Sequence, residues 1–349
     1  MSELRHNPVT RRWVIVAEER ALRPQDLIVP EPEATIPAAS CPFCPGNERK
    51  TPPEIWCWRD NATPPNSPGW TVRVIPNKYP ALRVEGELAR RGVGLYDRMA
   101  GIGAHEVIIE SPDHDAETAT LPVDHLEKVL RAYQERLRDL MRDQRLKYIL
   151  IFKNHGATAG ASLAHSHTQL IATSVTPSEV SMEFQSCLEY HQVKERCLYC
   201  DILAQELEDG SRIVREDAHF VTHTPYASRF PFEMVLMPRR HAHSFAEASP
   251  ELLRHLAIHL GDVLRRLKRV LRNPPYNFVL HTAPNTGVTP KRSHYWETIQ
   301  YDYHWHLEIL PRVTRIAGFE WGTGFYINPT PPEIAAAHLR DAREAEGTA

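Results

Sequence analysis

The sequence predicts an α+β protein made of two tandem copies of one unit, each an antiparallel sheet carrying a packed amphipathic helix. Three observations carry that expectation. A Cys-x-x-Cys pair occurs twice, at Cys41-Pro-Phe-Cys44 and Cys197-Leu-Tyr-Cys200, roughly 150 residues apart. A His-x-His run closes each copy, at His165-Ser-His167 and His304-Trp-His306. Between these markers both copies read strand, helix, strand, strand.

Taken in order, residues 24–68 hold eleven of the 29 prolines. Such a segment has little regular structure, so something must pin it, and a metal on the first cysteine pair would do so. Next come the β-rich runs from His105-Glu106 to His114 and from Phe232-Glu233 to His241. In both, a histidine follows a glutamate by eight positions, so the two glutamates read as equivalent. A helix then buries Leu126, Val129, Leu130, Tyr133, Leu137 and Leu140 in copy one. Its counterpart runs from Leu253 to Leu267, with Ser249-Pro250 as start signal. Each copy ends in a strand, a loop and the His-x-His strand: Tyr148–Phe152 to His167 in copy one, Asn277–His281 to His306 in copy two. The boundary between copies falls near residues 175–196, giving units 1–175 and 176–349.

Length and composition bound the function. A chain of 349 residues has room for two domains, and 42% hydrophobic with 24% charged residues excludes wholesale disorder. Lysine plus arginine at 41 against 44 acidic residues gives −3, which argues against nucleic-acid binding. The start, Met1-Ser-Glu-Leu-Arg, has no apolar targeting core, and no stretch approaches the ~18 apolar residues of a membrane span. A cytoplasmic enzyme is expected, and in that compartment the cysteine pairs read as metal ligands.

Two constellations carry chemistry. Cys41, Cys44, His114 and His165 compose a closed Cys₂His₂ zinc site, and Cys197, Cys200, His241 and His304 repeat it, so two zinc ions per chain are expected. Glu183, His281, His304 and His306 compete as an iron or zinc site without cysteine. On the His-x-His strand, alternation puts His165, His167 and Gln169 on one face. His167 then lies beside the small, polar loop Asn154–Ser162, whose amides can approach phosphate, and an imidazole there is a phosphorus nucleophile. In copy two Glu308 replaces Gln169, a carboxylate where an amide donor would face phosphate, so copy one is read as active and copy two as degenerate.

From about Arg5 to Glu333 the chain resembles the galactose-1-phosphate uridylyltransferases, duplicated members of the histidine-triad superfamily. The resemblance rests on Asn7-Pro-Val-Thr-Arg-Arg-Trp13, Arg20-Ala-Leu-Arg23-Pro24, Cys-Pro-Phe-Cys, Ile75-Pro-Asn77-Lys, Ser111-Pro-Asp-His114 and the Asn154-to-Gln169 run. It implies two tandem histidine-triad-like units and a uridylylated His167. It also implies nucleotide and phosphate contacts from Arg20, Arg23, Asn77, Asn154, Ser162 and Gln169, and a structural zinc on Cys41, Cys44, His114 and His165. A homodimer is implied too, with sugar contacts near Gly318-Phe-Glu320 supplied by the partner. The implied reaction moves UMP from UDP-glucose to galactose 1-phosphate, so its partners are a nucleotide sugar and a sugar 1-phosphate. Where that family has His-Pro-His, this chain has His-Ser-His; with Phe152-Lys-Asn-x-Gly-x-x-Ala-Gly-Ala-Ser and the second cysteine pair it also resembles ADP-glucose phosphorylase, which uses phosphate as acceptor. A non-catalytic, zinc-stapled binding module is the alternative of another class.

Overall fold

The computed structural model describes residues 2–17, 23–28, 36–60, 62–288 and 296–342. Its first half holds β1 (Glu3–His6), β2 (Trp13–Val16), β3 (Trp56–Arg59), β4 (Trp70–Pro76), a small ribbon of β5 (Arg91–Val93) and β6 (Tyr96–Arg98), β7 (Gly103–Ile109), α1 (Val123–Leu140), β8 (Tyr148–His155) and β9 (His167–Thr173). Helices α2 (Ser178–Lys194) and α3 (Leu198–Asp209) lead into β10 (Ile213–Glu216), β11 (Phe220–His223), β12 (Met234–Pro238), α4 (Pro250–Leu271) and β13 (Tyr276–His281). The chain continues through α5 (Ile299–Asp302), β14 (His306–Pro311), α6 (Gly318–Thr323), β15 (Tyr326–Asn328) and α7 (Pro332–Asp341). The architecture is α+β, as the repeat predicts.

Both long helices arise from apolar residues three and four apart, which gather on one side of a 3.6-residue turn. In α1 the six foreseen residues are all buried, and in α4 Leu253, Leu256, Leu260, Val263, Leu264 and Leu267 are buried likewise. The start of α4 is capped by Ser249, whose Oγ accepts from the Leu252 amide at 3.1 Å, and Pro250 fills the first turn. The two helices lie against each other, and one hydrophobic cluster takes residues from both copies. Among the described residues no helix is long and apolar enough to cross a membrane.

Ten strands form one sheet in the order β10-β11-β12-β14-β13-β8-β9-β7-β4-β3. Read from either end inward, the order is the same for the two copies, which meet where β8 pairs antiparallel with β13. Phe152 lies opposite Gln169 and Val279 lies opposite Glu308, while Phe152 and Val279 face each other across the seam. A pseudo-twofold axis therefore passes between Phe152 and Val279. The chain ends are tied to the second copy: β15 runs parallel to β2, and the Arg5 guanidinium meets Glu333 of α7 at 2.7 Å.

The register corrects one equivalence read from the sequence. Glu106 stands opposite Leu170, and Met234 stands opposite Ile309, each three residues past its second motif histidine. Glu106 is thus matched by Met234, and Glu233 occupies the place of His105. A shift of one residue turns a side chain to the other face. Glu106 accordingly turns toward α1, where Arg136 holds both its oxygens at 2.8 Å, while Glu233 accepts from Arg229. Equal spacing to the next histidine concealed the slip, because the strand-to-histidine connection differs by one residue.

Behind β9 sits a fully buried carboxylate. Glu110, at 0% exposure, accepts from Lys153 Nζ at 3.0 Å, Ser166 Oγ and Thr118 Oγ1 at 2.7 Å each, Tyr133 OH at 3.1 Å, and Thr168 Oγ1. Burial pushes the Glu110 carboxyl up, but the Lys153 charge and these hydroxyls outweigh it and hold it at about 2. Lys153→Met, which leaves that carboxylate without its countercharge, is expected to cost about 3–5 kcal/mol of stability, read from a urea midpoint. Because the folded value lies below the ordinary 4.5, the contribution of Glu110 is complete above that pH and is lost as pH falls toward about 2. The stability gap between wild type and Glu110→Gln should therefore narrow from about pH 5 to about pH 2.5; a constant gap would mean that Glu110 is not ionised.

Candidate active site and metal centres

On β9 the even-numbered Thr168, Leu170 and Ala172 are fully buried beneath α1, while His167 and Gln169 turn to the opposite face. There they line a cavity of about 210 Å³ with Phe43, Asn77, Lys78 and Ser162. The His167 Nδ1–H donates to the His165 carbonyl at 2.8 Å, so the remaining lone pair sits on Nε2. The Phe43 ring stands edge-on at 5.3 Å between centroids. Burial first, then the Lys153 charge, hold the His167 pKa down to about 4, which keeps the ring neutral at neutral pH. A neutral, oriented imidazole with one free nitrogen is a nucleophile.

Gln169 is oriented by a residue that the sequence did not single out. The Ala81 amide donates to His105 Nδ1 at 3.2 Å, so the ring proton lies on His105 Nε2 and is donated to Gln169 Oε1 at 2.8 Å. That bond occupies the Gln169 oxygen and leaves its NH₂ as the donor available to the cavity. Asn77, whose Oδ1 accepts from the Tyr79 amide at 2.9 Å, closes the same corner. The signal for His105 lay in its alternation with Val107 on one strand, but only the cross-strand register places it beside Gln169.

The phosphate loop differs from its expectation. A 3₁₀ turn at Ala157–Ala159 is bracketed by Gly156 and Gly160 at φ of 82° and 93°, conformations open to glycine. The amides of Ala159, Gly160 and Ala161 donate back into the loop, so they do not form the expected cradle. Ser162, just beyond, does reach the cavity. Asn154 faces the seam: its Oδ1 accepts from Asn277 Nδ2 at 2.8 Å and its Nδ2 donates to the Gly160 carbonyl at 3.3 Å. Arg23 is exposed ahead of a 3₁₀ turn at Pro24–Leu27, and Glu320 caps α6 by accepting from the Ala317 amide at 3.0 Å. Neither Arg23, Asn154 nor Glu320 lines this cavity within one chain. Arg20 lies outside the described residues.

Among the described residues, three groups of side chains have the composition and spacing to hold a metal ion, their ligand atoms lying within 4.8 Å of one another. In the first, Cys44 Sγ lies 3.2 Å from His114 Nδ1 and 3.5 Å from His165 Nδ1, and Cys41 Sγ lies 3.6 Å from His165 Nδ1. A zinc tetrahedron with ordinary bond lengths has edges of roughly 3.3–3.8 Å. His165 sits on the bend before β9 rather than on the strand, and its Nε2–H donates to the Ser111 carbonyl at 2.7 Å, which frees Nδ1 for the metal. The second group mirrors it: Cys200 Sγ lies 3.3 Å from His241 Nδ1 and 3.5 Å from His304 Nδ1, with Cys197 alongside. His241 is turned by its own bond to the Gln300 carbonyl at 2.9 Å. The carboxylate alternative does not draw His304 away. Glu183, His281 and His306 gather separately, with His281 Nδ1 3.2 Å from Glu183 and its ring stacked on His306.

On the open face of copy two, chemistry has changed sign. Glu308 takes the place of Gln169 and Glu233 that of His105, and the Arg229 guanidinium bridges them at 2.7 and 2.8 Å. His281, two residues past Val279, stands where copy one has Asn154.

Residues 1–177 match the family described as galactose-1-phosphate uridyl transferase, N-terminal domain, and residues 183–335 match its C-terminal domain. The chain is 35% identical over 342 residues to an ADP-glucose phosphorylase of Arabidopsis thaliana, covering 97% of this chain and 92% of that protein. It is 29% identical over 349 residues to a galactose-1-phosphate uridylyltransferase of Thermotoga maritima, covering 98% of each. The crystal structure of an Arabidopsis thaliana ADP-glucose phosphorylase with bound ADP-glucose superposes with a TM-score of 0.80 at 34% identity, over 98% of both chains. A solved uridylyltransferase structure gives 0.73 at 28% identity, again over 98% of both.

Gln169→Glu keeps an oxygen for His105 but presents a carboxylate oxygen to the cavity in place of the NH₂. Calorimetry with UMP and AMP should show affinity reduced about tenfold or more at neutral pH, the worth of one hydrogen bond to a charged group plus repulsion. Unchanged affinity would place Gln169 away from the phosphate.

Proposed function

We propose that this chain, which belongs to the galactose-1-phosphate uridyl transferase family, is a nucleotidyltransferase that carries a nucleoside monophosphate on His167 between a nucleotide sugar and a phosphate-bearing acceptor. The observation that supports it most is the free Nε2 of His167, fixed by its Nδ1–H bond and set in a cavity beside the Gln169 amide and Ser162. Nε2 attacks the α-phosphorus of UDP-glucose, a P–N bond forms, the bond to the bridging oxygen breaks, and glucose 1-phosphate leaves. A phosphate oxygen of galactose 1-phosphate then attacks the same phosphorus, and the P–N bond breaks to return the imidazole. The acceptor is already an anion at neutral pH, so no strong general base is needed. Gln169 and Ser162 stabilise the phosphoryl oxygens, and Arg20, Arg23, Asn77 and Asn154 bind nucleotide and phosphate.

A second reading has a specific observation behind it. Identity to the ADP-glucose phosphorylase exceeds that to the uridylyltransferase, 35% against 29% at nearly equal coverage. On that reading the same P–N chemistry transfers AMP from ADP-glucose to inorganic phosphate. Assaying UDP-glucose and ADP-glucose with galactose 1-phosphate and phosphate in turn separates the two.

The chain is read as an active unit, 1–175, and a degenerate one, 176–349, in a cytoplasmic homodimer whose partner subunit brings the residues near Glu320 to the sugar. Each unit holds one structural zinc, on Cys41, Cys44, His114 and His165 and on Cys197, Cys200, His241 and His304; each set offers four ligand atoms within 4.8 Å of one another, two of them thiolates that would neutralise the ion.

His167→Ala should abolish transfer in a folded, metal-loaded protein. Wild type incubated with nucleotide sugar alone should gain the mass of one nucleoside monophosphate, removed by acid as a phosphoramidate is. An adduct on another residue, or sequential kinetics, would overturn the mechanism. Elemental analysis is expected to give close to two zinc ions per chain. Cys197→Ser should remove one of them and lower thermal stability while some transfer persists, since structural zinc contributes directly to folding.

A further inference from the structure

The second copy keeps a cavity of its own, of about 300 Å³. Strand register makes it the counterpart of the His167 cavity. In copy one Val107 lies opposite both Ile75 and Gln169; in copy two Val235 lies opposite both His223 and Glu308. His306 stands for His167, and Tyr199, third in its Cys-x-x-Cys, stands for Phe43. All five counterparts line the second cavity, as the originals line the first.

Its shape is inherited and its chemistry is not. Glu183, Glu206, Glu233 and Glu308 reach the wall, and no lysine or arginine is among the described lining residues. Lys50 and Lys78, by contrast, line the first cavity. A phosphate would meet the Glu308 carboxylate, already paired with Arg229, where copy one offers the Gln169 amide donor. The histidine position differs too: His306 keeps the Nδ1–H bond to the carbonyl two residues back, at 3.1 Å, that His167 makes, but the Tyr199 hydroxyl stands 3.4 Å from its Nε2.

The rest of the wall suits an uncharged, flat ligand. Val9, Ile202, Val235 and Met237 give apolar surface. His223, only 3% exposed, meets no side chain at either ring nitrogen; the Thr224 backbone answers at most one of them, which leaves the other buried and unmet. A flat heteroaromatic ring with an N–H or a ring nitrogen at one edge answers that unmet nitrogen, and amino or N–H groups on its other edges suit the carboxylates.

We propose that this cavity is a second, non-catalytic site for an uncharged nucleoside or nucleobase, held by His223 and the carboxylates, with no described lysine or arginine on its wall to receive a phosphate. The proposal rests on reading the first cavity as the nucleotide site.

Adenosine is the probe, followed by equilibrium dialysis against the full-length, metal-loaded protein in saturating AMP plus UMP. About one adenosine per chain should remain bound. His223→Leu should weaken that binding at least tenfold and leave AMP or UMP binding to the first cavity unchanged. Ala227→Trp, which fills the cavity from a buried lining position, should abolish it. Complete displacement of adenosine by the nucleotides, absence of adenosine binding, or binding indifferent to both substitutions would overturn the proposal, and the wild-type competition decides even if a variant does not fold. Failure of AMP and UMP alike to bind the wild type would instead count against the nucleotidyltransferase reading, while His223-dependent adenosine binding would still stand.

Discussion

The ionised carboxylate of Glu110 is the interaction on which the architecture of the first half depends. It has no access to water, so each lone pair must be met by the protein or the fold bears the full cost of desolvating a charge. Its partners come from different places: Lys153 from β8, Ser166 and Thr168 around the start of β9, Tyr133 from α1 and Thr118 from the turn before it. Satisfying one group fixes helix, loop and both strands relative to each other. The Lys153 ammonium also donates to the His167 carbonyl at 3.1 Å, so the backbone of that histidine is held from behind. The geometry of the open face is thus a consequence of charge satisfaction on the closed one.

Divergence between the copies can be followed along the same sheet. The backbone frame survived duplication: helices, ladder order and the Cys–His clusters recur about the Phe152–Val279 axis. What changed is the polarity of a few side chains on the open face. A neutral pair, His105 with Gln169, became Glu233 and Glu308 bridged by Arg229. Such a change removes an amide donor from the open face without disturbing the packing beneath.

How much of this was legible in the sequence follows from the range of each interaction. The helices were legible because periodicity is local, and all foreseen apolar positions of α1 are buried. The Cys–His clusters were legible because short, fixed spacings recur twice. The competing carboxylate set looked exclusive in sequence because His304 appears in both; in space His304 faces the cysteines, while Glu183, His281 and His306 form a separate group. Register was not legible: a one-residue difference in a connection made Glu106 and Glu233 look equivalent although they point to opposite faces. Nor was the role of His105, which depends on the Ala81 amide and on a strand paired from more than sixty positions away.

The seam between β8 and β13 has a consequence for the isolated halves. Each is a central strand only because the other is present; in a half-chain expressed alone, either would be a bare edge with a row of unpaired amides and carbonyls. Such an edge is a template for intermolecular strand addition, and the nearest complementary template is another copy of the same half. Two separately produced fragments would then face a kinetic competition between self-association and reunion. Tethering the halves in one polypeptide resolves that competition through effective concentration, which gives the second half a part in the fold independent of any chemistry.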